Sequence, residues 1–179
     1  AEPRLKAWRD AADALASELR RGLSVVLLCE GDASLFASSS YVQLALRKRH
    51  PDLMVKLIPG VPAVCAAAAA GAELGIDWPL ALQQDGVLIR PCPDHESDLE
   101  RLLESAQSNG MVLALIKLGQ RWPWVRACLE RRQLLEASLF AQRVGWPDQV
   151  LARAIDIPAE SKPYFSLLLI RQTWPEVLP

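Results

Sequence analysis

The stretch Leu23-Ser24-Val25-Val26-Leu27-Leu28-Cys29-Glu30-Gly31-Asp32-Ala33-Ser34 decides the fold class. Its first seven residues are almost continuously apolar and partly β-branched. A run this short, bounded by Gly22 and Gly31, reads as a strand buried on both faces, as parallel sheets produce. Upstream, Leu5, Trp8, Ala12, Leu15 and Leu19 recur at helical spacing between Pro3 and Arg21, and Gly22 stops that helix. Downstream, a helix is expected from Ser34 to Arg49, ending before His50-Pro51, since proline disfavours the helical region for its predecessor. A second strand is read at Leu53–Ile58, closed by Pro59-Gly60, and a third helix at Ala63–Leu74. This alternation is the rhythm of a doubly wound α/β domain.

The region from Gly75 to Gly86 has no clear period and reads as the crossing into a second unit. Strands are expected at Val87–Pro91, Met111–Leu118, Leu139–Val144 and Tyr164–Arg171. Ser97-x-x-Glu100 reads as a capping box ahead of Leu99, Leu102, Leu103 and Ala106. Pro123 marks a helix start, and that helix runs to about Arg132.

Composition narrows the function classes. The chain has 179 residues, 51% of them apolar and 23% charged, enough to bury a core and to exclude disorder. No run reaches the roughly 18 apolar residues a membrane span needs. Ala1-Glu2-Pro3-Arg4 reads as neither a signal nor a transit peptide. A formal charge of −1 supplies no basic field for nucleic acid or a membrane surface. Cys29, Cys65, Cys92 and Cys128 never form C-x-x-C, so a reduced, cytoplasmic protein is expected.

Glu30-Gly31-Asp32-Ala33-Ser34 is the strongest chemical signal. It sits at the carboxyl end of a central strand, where open α/β sheets bind ligands. Gly31 admits close approach to the backbone, and Asp32 suits a hydroxyl or ammonium partner. The ordinary alternative is that Asp32 or Ser34 caps the helix. Ile58-Pro59-Gly60-Val61-Pro62-Ala63 is a second strand end, followed by a helix of small residues, Cys65 to Gly71. Such a helix lets a sheet, helix or ligand approach closely, and high helix propensity explains it equally. Lys117, at the end of Leu115-Ile116-Lys117-Leu118-Gly119, reads first as a snorkelling surface lysine. His50 and His95 are the only histidines; Cys92-x-x-His95 has no second pair at zinc spacing, so no metal site is expected. No Walker loop, G-x-G-x-x-G or G-x-S-x-G elbow occurs.

Taken in order, four blocks resemble the tetrapyrrole (cobalamin-precursor) methylase family, and within it the branch that methylates C20. They are Cys29–Phe36 with Tyr41, Ile58–Val61, Leu115–Gly119 and Tyr164–Arg171, and together they span nearly the whole chain. The resemblance implies two αβα domains, residues 1–80 and 81–179, with the first incomplete at its N-terminus. It implies S-adenosylmethionine bound in the cleft between them, S-adenosylhomocysteine as product, and methyl transfer to C20 of precorrin-2 or cobalt-factor II. Carried over by position, Glu30, Gly31, Asp32, Leu35, Pro62, Ala63, Ile116 and Lys117 would line the cofactor site. It further implies a homodimer, a small-molecule tetrapyrrole substrate, and no nucleic-acid or membrane partner. No catalytic residue is assigned. Arg90, Arg121, Arg143 and Arg171 are candidates for gripping the substrate's carboxylates. Trp78, Trp122, Trp146 and Trp174, near proline turns, suit an interface or a core equally.

Three departures from the family pattern stand out. Ala33 replaces a usual proline, and Pro62 stands where serine or threonine is common. The family's opening strand and glycine-rich loop have no counterpart, so this chain by itself is expected to bind cofactor weakly or not at all. An in-frame extension upstream of Ala1 would support the enzyme; a start codon there would support a non-catalytic homologue serving as a binding or dimerisation module. An unrelated α/β nucleotide or phosphate binder using the Gly31-Asp32 turn is the third reading.

Overall fold

A computed structural model describes residues 2–73, 75–76 and 78–174. The chain divides into two compact units, one ending at Pro62 and the other starting at Ala63.

The first unit contains helices α1 (Glu2–Arg20) and α2 (Ser39–Arg49). Ala12 and Ala16 of α1 are fully buried against Val42 and Leu46 of α2, with Trp8, Leu15 and Leu53 around them. Small residues on α1 permit the close approach that a stack of Trp8 on Tyr41 also records, with centroids 4.2 Å apart and 9° between planes. The expected period on α1 holds in phase, yet Leu5 is exposed and the alanines carry the contact. Polar clamps supplement this small core: Asp13 of α1 accepts from Arg49 at 2.7 and 2.8 Å and meets His50 at 2.8 Å.

Two expectations fail in this unit. Leu23–Cys29 and Leu53–Ile58 form no ladder among the described residues. Their apolar side chains face solvent, with Val26 77%, Leu28 86%, Met54 95% and Ile58 73% exposed. Sequence pattern reports what a strand wants to bury, but a ladder needs a neighbour to bond. Helix α2 also starts at Ser39, not Ser34, because residues 32–38 make turns instead.

The second unit is a three-layer αβα sandwich. Its elements are α3 (Ala63–Glu73), β1 (Gly86–Pro91), α4 (Glu96–Ser108), β2 (Met111–Ile116), α5 (Trp122–Arg131), β3 (Ser138–Gln142), β4 (Val150–Arg153) and β5 (Ser166–Ile170). The sheet order is β1-β2-β5-β3-β4. Only β1 and β2 run parallel, with Pro91 opposite Ile116; the other three pairings are antiparallel. The sheet is therefore mixed. Strand alternation builds both cores. Leu113, Leu115, Phe140, Leu168 and Ile170 face α4 and α5, where they meet Leu99, Leu103, Trp122, Val125 and Leu129. Ala114, Leu139, Ala141, Leu167 and Leu169 face α3.

The alanine-rich helix is explained by this second face. Val64, Ala67 and Ala68 pack on the sheet, and a Cβ on Gly71 would lie 3.1 Å from Leu139 Cδ2. Expected as part of an N-terminal domain, α3 packs within the second unit; the Leu74 end expected for it lies outside the described residues. Helix α4 starts one residue before Ser97, with His95 in the capping position and no side-chain cap. The Glu100 side chain pairs with Arg132, so the predicted capping box does not form. β4 escaped the sequence reading because its four residues carry no clear alternation. Trp78 and Trp122 are core residues, the latter fully buried with its indole N–H donating to the Pro158 carbonyl at 2.9 Å.

Candidate functional site

In the first unit the structure brings two predicted loops together through one carboxylate. Asp32 Oδ2 accepts the Gly60 N–H at 2.8 Å, and Oδ1 accepts the Ser34 N–H at 2.8 Å and the Ser34 hydroxyl. These three donors, the Ser34 hydroxyl foremost, hold the Asp32 carboxyl below its ordinary range. Asp32 thus makes an Asx-type turn and neither caps α2 nor stands free for a ligand. The Ser40 hydroxyl closes the turn by donating to the Ala33 carbonyl at 3.0 Å.

The junction requires glycine on both sides. Gly31 has φ 72°, a left-handed conformation that costs an L-residue roughly 1–2 kcal/mol. A Cβ on Gly60 would collide with the Gly31 carbonyl oxygen and sit 3.3 Å from Asp32 Cα. The backbones therefore touch where a side chain would otherwise stand. Glu30, Gly31 and Leu35 are exposed around this junction and Pro62 is half-buried, so a solute can reach the backbone and the Glu30 carboxylate. Phe36, beside Leu35, also holds a positive φ of 54°. The sequence offered Ser34 as a possible helix cap and Phe36 only as part of the Cys29–Phe36 block; the Asp-x-Ser spacing is the signal for the turn that forms instead.

In the second unit, Ala63 opens α3 and is exposed. Ile116 ends β2, and Lys117 follows it with φ 62°. The next residues are tied to β5: the Leu118 N–H donates to the Ser166 carbonyl and the Gly119 N–H to the Ser166 hydroxyl, both at 3.1 Å. Ser166 is buried, and its hydroxyl donates in turn to the Pro163 carbonyl at 2.7 Å. The Lys117 ammonium lies 5.9 Å from the Tyr164 ring centroid. A half-buried, positively angled lysine over an aromatic face differs from the freely snorkelling lysine of the simplest reading.

The arginine candidates separate. Arg171 is buried, donating to Asp85 at 2.6 Å and to the Pro79 carbonyl at 2.7 Å, so it holds the fold and cannot grip a ligand. Arg121 pairs with Asp94. Arg90 is exposed near the end of β1. Arg143 pairs with Asp148 and lies over Trp146. Glu96, Glu100 and Cys128 bring ligand atoms within 4.8 Å of one another, a grouping the sequence did not suggest. Arg131 and Arg132 neutralise the two carboxylates, and burial together with Glu100 pushes the Cys128 thiol up to about 12. That chemistry is an ion-pair network around a protonated thiol. Cys92 is buried, its Sγ 3.6 Å from the Pro93 carbonyl oxygen. No helix among the described residues is long and apolar enough to cross a membrane.

Comparison with known proteins adds three findings. The family model described as Tetrapyrrole (Corrin/Porphyrin) Methylases matches residues 1–154. A cobalt-precorrin-2 C(20)-methyltransferase of Salmonella typhimurium is 29% identical over 169 residues, covering 93% of this chain and 66% of that protein. The chain thus spans about two thirds of that relative's length. Among solved structures, a cobalt precorrin-4 methyltransferase superposes with TM-score 0.65 at 19% identity, over 89% of this chain and 69% of the other. The uroporphyrin-III C-methyl transferase of Thermus thermophilus, solved with S-adenosyl homocysteine, gives TM-score 0.56 at 20% identity, over 90% and 71%. These superpositions carry the fold.

Proposed function

The chain belongs to the tetrapyrrole (corrin/porphyrin) methylase family, and from that premise we propose that it serves S-adenosylmethionine-dependent C-methylation of a corrin precursor in cobalamin biosynthesis. The proposed substrate is precorrin-2 or cobalt-factor II, methylated at C20 by a cytoplasmic homodimer. The observation that carries the reading is the Asp32 clasp, which joins the Glu30-Gly31-Asp32 and Pro59-Gly60 loops through one carboxylate.

When bound, the cofactor would supply a methyl group electrophilic enough for transfer to a ring carbon, with S-adenosylhomocysteine and a proton from that carbon as the other products. The chain's task is then to orient. Holding two reactants in line lowers the barrier by roughly 7–11 kcal/mol without a covalent residue. The absence of a recognisable triad motif in the sequence agrees with such a mechanism. Gly31 and Gly60 let the two loops meet backbone to backbone, and the exposed Glu30 carboxylate beside them suits hydroxyl or ammonium groups of the cofactor. In this proposal Leu35, Pro62, Ala63 and Ile116 supply apolar wall, and Lys117 a positive end. Asp32 is a positioning residue, since its oxygens are committed to Ser34 and Gly60.

The test is transfer of an isotopically labelled methyl from S-adenosylmethionine to precorrin-2 under anaerobic conditions, read by mass and by the position of the label. Label at C20 supports the proposal. Label at another ring carbon, or transfer to none of the corrin precursors, overturns it.

A further inference from the structure

His50 joins the ends of the two helices of the first unit. It follows α2 directly, its N–H donating to the Leu46 carbonyl at 2.7 Å and its carbonyl accepting the Leu53 N–H at 3.1 Å. The ring is only 14% exposed. Its Nε2 lies 2.8 Å from Asp13 Oδ1 and its Nδ1 3.1 Å from a terminal nitrogen of Arg20. Arg20 is the last residue of α1, and the turn after it closes on Gly22, at φ 79°. There the Gly22 N–H donates to the Leu19 carbonyl at 3.0 Å and the Leu23 N–H to the Glu18 carbonyl at 3.3 Å, the pair of bonds that ends a helix at a left-handed glycine.

Hydrogen-bond accounting fixes the state of the ring. A guanidinium offers five donors and no acceptor. The Nδ1 that faces Arg20 is therefore the bare, accepting nitrogen, and Nε2 carries the proton that it donates to Asp13. An imidazolium donates from both nitrogens and cannot keep the Arg20 contact. We propose that His50 is a proton-operated latch on the end of α1: the neutral ring holds Arg20, and the protonated ring releases it.

The charged groups around the ring give each state its partners. From α1 come Asp13 and Arg20, from the end of α2 come Arg47, Lys48 and Arg49, and Asp52 stands in the turn that follows. Asp10 adds its charge beside Arg49. Asp13 accepts from Arg49 and from His50 together, so a protonated ring keeps its place on Asp13 as an ion pair. Arg20 has a second partner at hand, since its terminal nitrogen is 3.4 Å from both Asp52 carboxylate oxygens. Protonation thus exchanges one partner for another and leaves no charge stranded. Histidine is the side chain whose charge ordinarily changes between about pH 5 and 8, so the exchange falls in a physiological range.

The latch stands where both apolar runs of the unit begin. Residues 23–29 follow the Gly22 turn and residues 53–58 follow the His50 turn, and beyond their far ends the Asp32 carboxylate accepts the Gly60 N–H. Release of Arg20 loosens the start of the first run while the Asp32 bond keeps the far ends joined. The latch operates whatever ligand the chain takes.

Two NMR measurements on the whole chain test it. Long-range nitrogen–proton spectra read the tautomer and titration of the His50 ring. Amide exchange, corrected for the intrinsic effect of pH, reads protection at Gly22 and Leu23. Wild type is compared with Arg20→Gln and His50→Gln, with circular dichroism melts to establish folding. The latch predicts the Nε2–H tautomer at about pH 8. It predicts an about two- to fivefold loss of protection at Gly22 and Leu23 on acidification to about pH 5, with the midpoint of the ring itself; that is the size an exposed polar contact allows. Arg20→Gln should sit at the acid level of protection throughout, and His50→Gln should show no step. The Nδ1–H tautomer at about pH 8, protection unchanged through the titration of the ring, or a step of wild-type size in Arg20→Gln overturns the latch. Arg20 is 52% exposed, so its variant folds and decides the matter even if His50→Gln does not fold.

Discussion

Asp32 and Gly60 are joined by a 2.8 Å hydrogen bond from the glycine N–H to the aspartate carboxylate. They stand 28 positions apart in the chain, with all of α2 between them. One side chain thereby fixes the separation of two loops, and the glycine pair lets their backbones meet without an intervening Cβ. Loop closure over this distance carries an entropic penalty that the charge-assisted hydrogen bond from Gly60 helps to offset, while the two bonds from Ser34 hold the carboxylate in place to accept it.

The unpaired apolar runs of the first unit have a direct kinetic signature. Backbone amides of residues 24–29 and 54–58 have no backbone partner among the described residues. They are expected to exchange with deuterium at near-unfolded rates, while β2 and β5 amides stay protected. Mass-resolved exchange checks this. Protection in 24–29 equal to that of β5 would show that a strand pairs there.

Acid should loosen the α1–α2 pair in a defined window. Hydrogen bonds from Arg49 and then His50 hold the Asp13 carboxyl down to about 2. A lowered folded pKa contributes stability that is full above the unfolded value near 4 and is lost as pH falls through about 2. At pH 7, Asp13→Asn should lower the thermal midpoint of the first unit, and added salt should shrink the gap. Melts of both proteins should converge near pH 2. A gap that persists there would place the effect in packing instead.

Asp85→Ala should be the most damaging single change in the second unit. Burial raises the Asp85 carboxyl, but Arg171 and the Leu82 N–H outweigh it and the group stays ionised below its ordinary range. Arg171 is 2% exposed and also lies 4.5 Å from the Trp174 ring centroid. Removing the aspartate strands a buried guanidinium, at about 3–5 kcal/mol. Replacing both partners with leucine should cost clearly less. Urea titration of the two variants reads the difference; equal costs would refute the account.

Thiol labelling should divide the cysteines into pairs. Burial pushes Cys92 up to about 12, and burial with Glu100 does the same for Cys128. Both stay protonated at neutral pH and are shielded. Iodoacetamide at pH 8 should modify Cys29 and Cys65, which are exposed, and reach the other two only in denaturant. Peptide mass mapping decides it, and native-state labelling of Cys128 would contradict the packing described.

How far the sequence could be read depended on what each signal physically reports. Two-sided apolar runs at 111–116 and 166–170 became central strands because neighbours exist to pair them. The equally apolar Leu23–Cys29 run has no paired neighbour among the described residues, which no periodicity can reveal. The Asp-x-Ser and Pro-Gly motifs marked the right loops, yet their mutual contact is long-range and invisible to local spacing. Arg171 looked like a ligand-binding cation because sequence carries no burial, and only the fold sets it against Asp85. Lys117 needed its backbone angle to stand out.

Binding of S-adenosylhomocysteine tests the central claim most directly, read by saturation-transfer difference NMR, which detects weak as well as tight association. Wild type and Gly60→Ala are compared, since a Cβ at Gly60 must push apart the Gly31 and Gly60 backbones that the Asp32 clasp brings together. The account predicts a saturable signal for wild type, displaced by S-adenosylmethionine, and its loss in Gly60→Ala with the second unit still folded. No signal from wild type, or an undiminished one from Gly60→Ala, would contradict it.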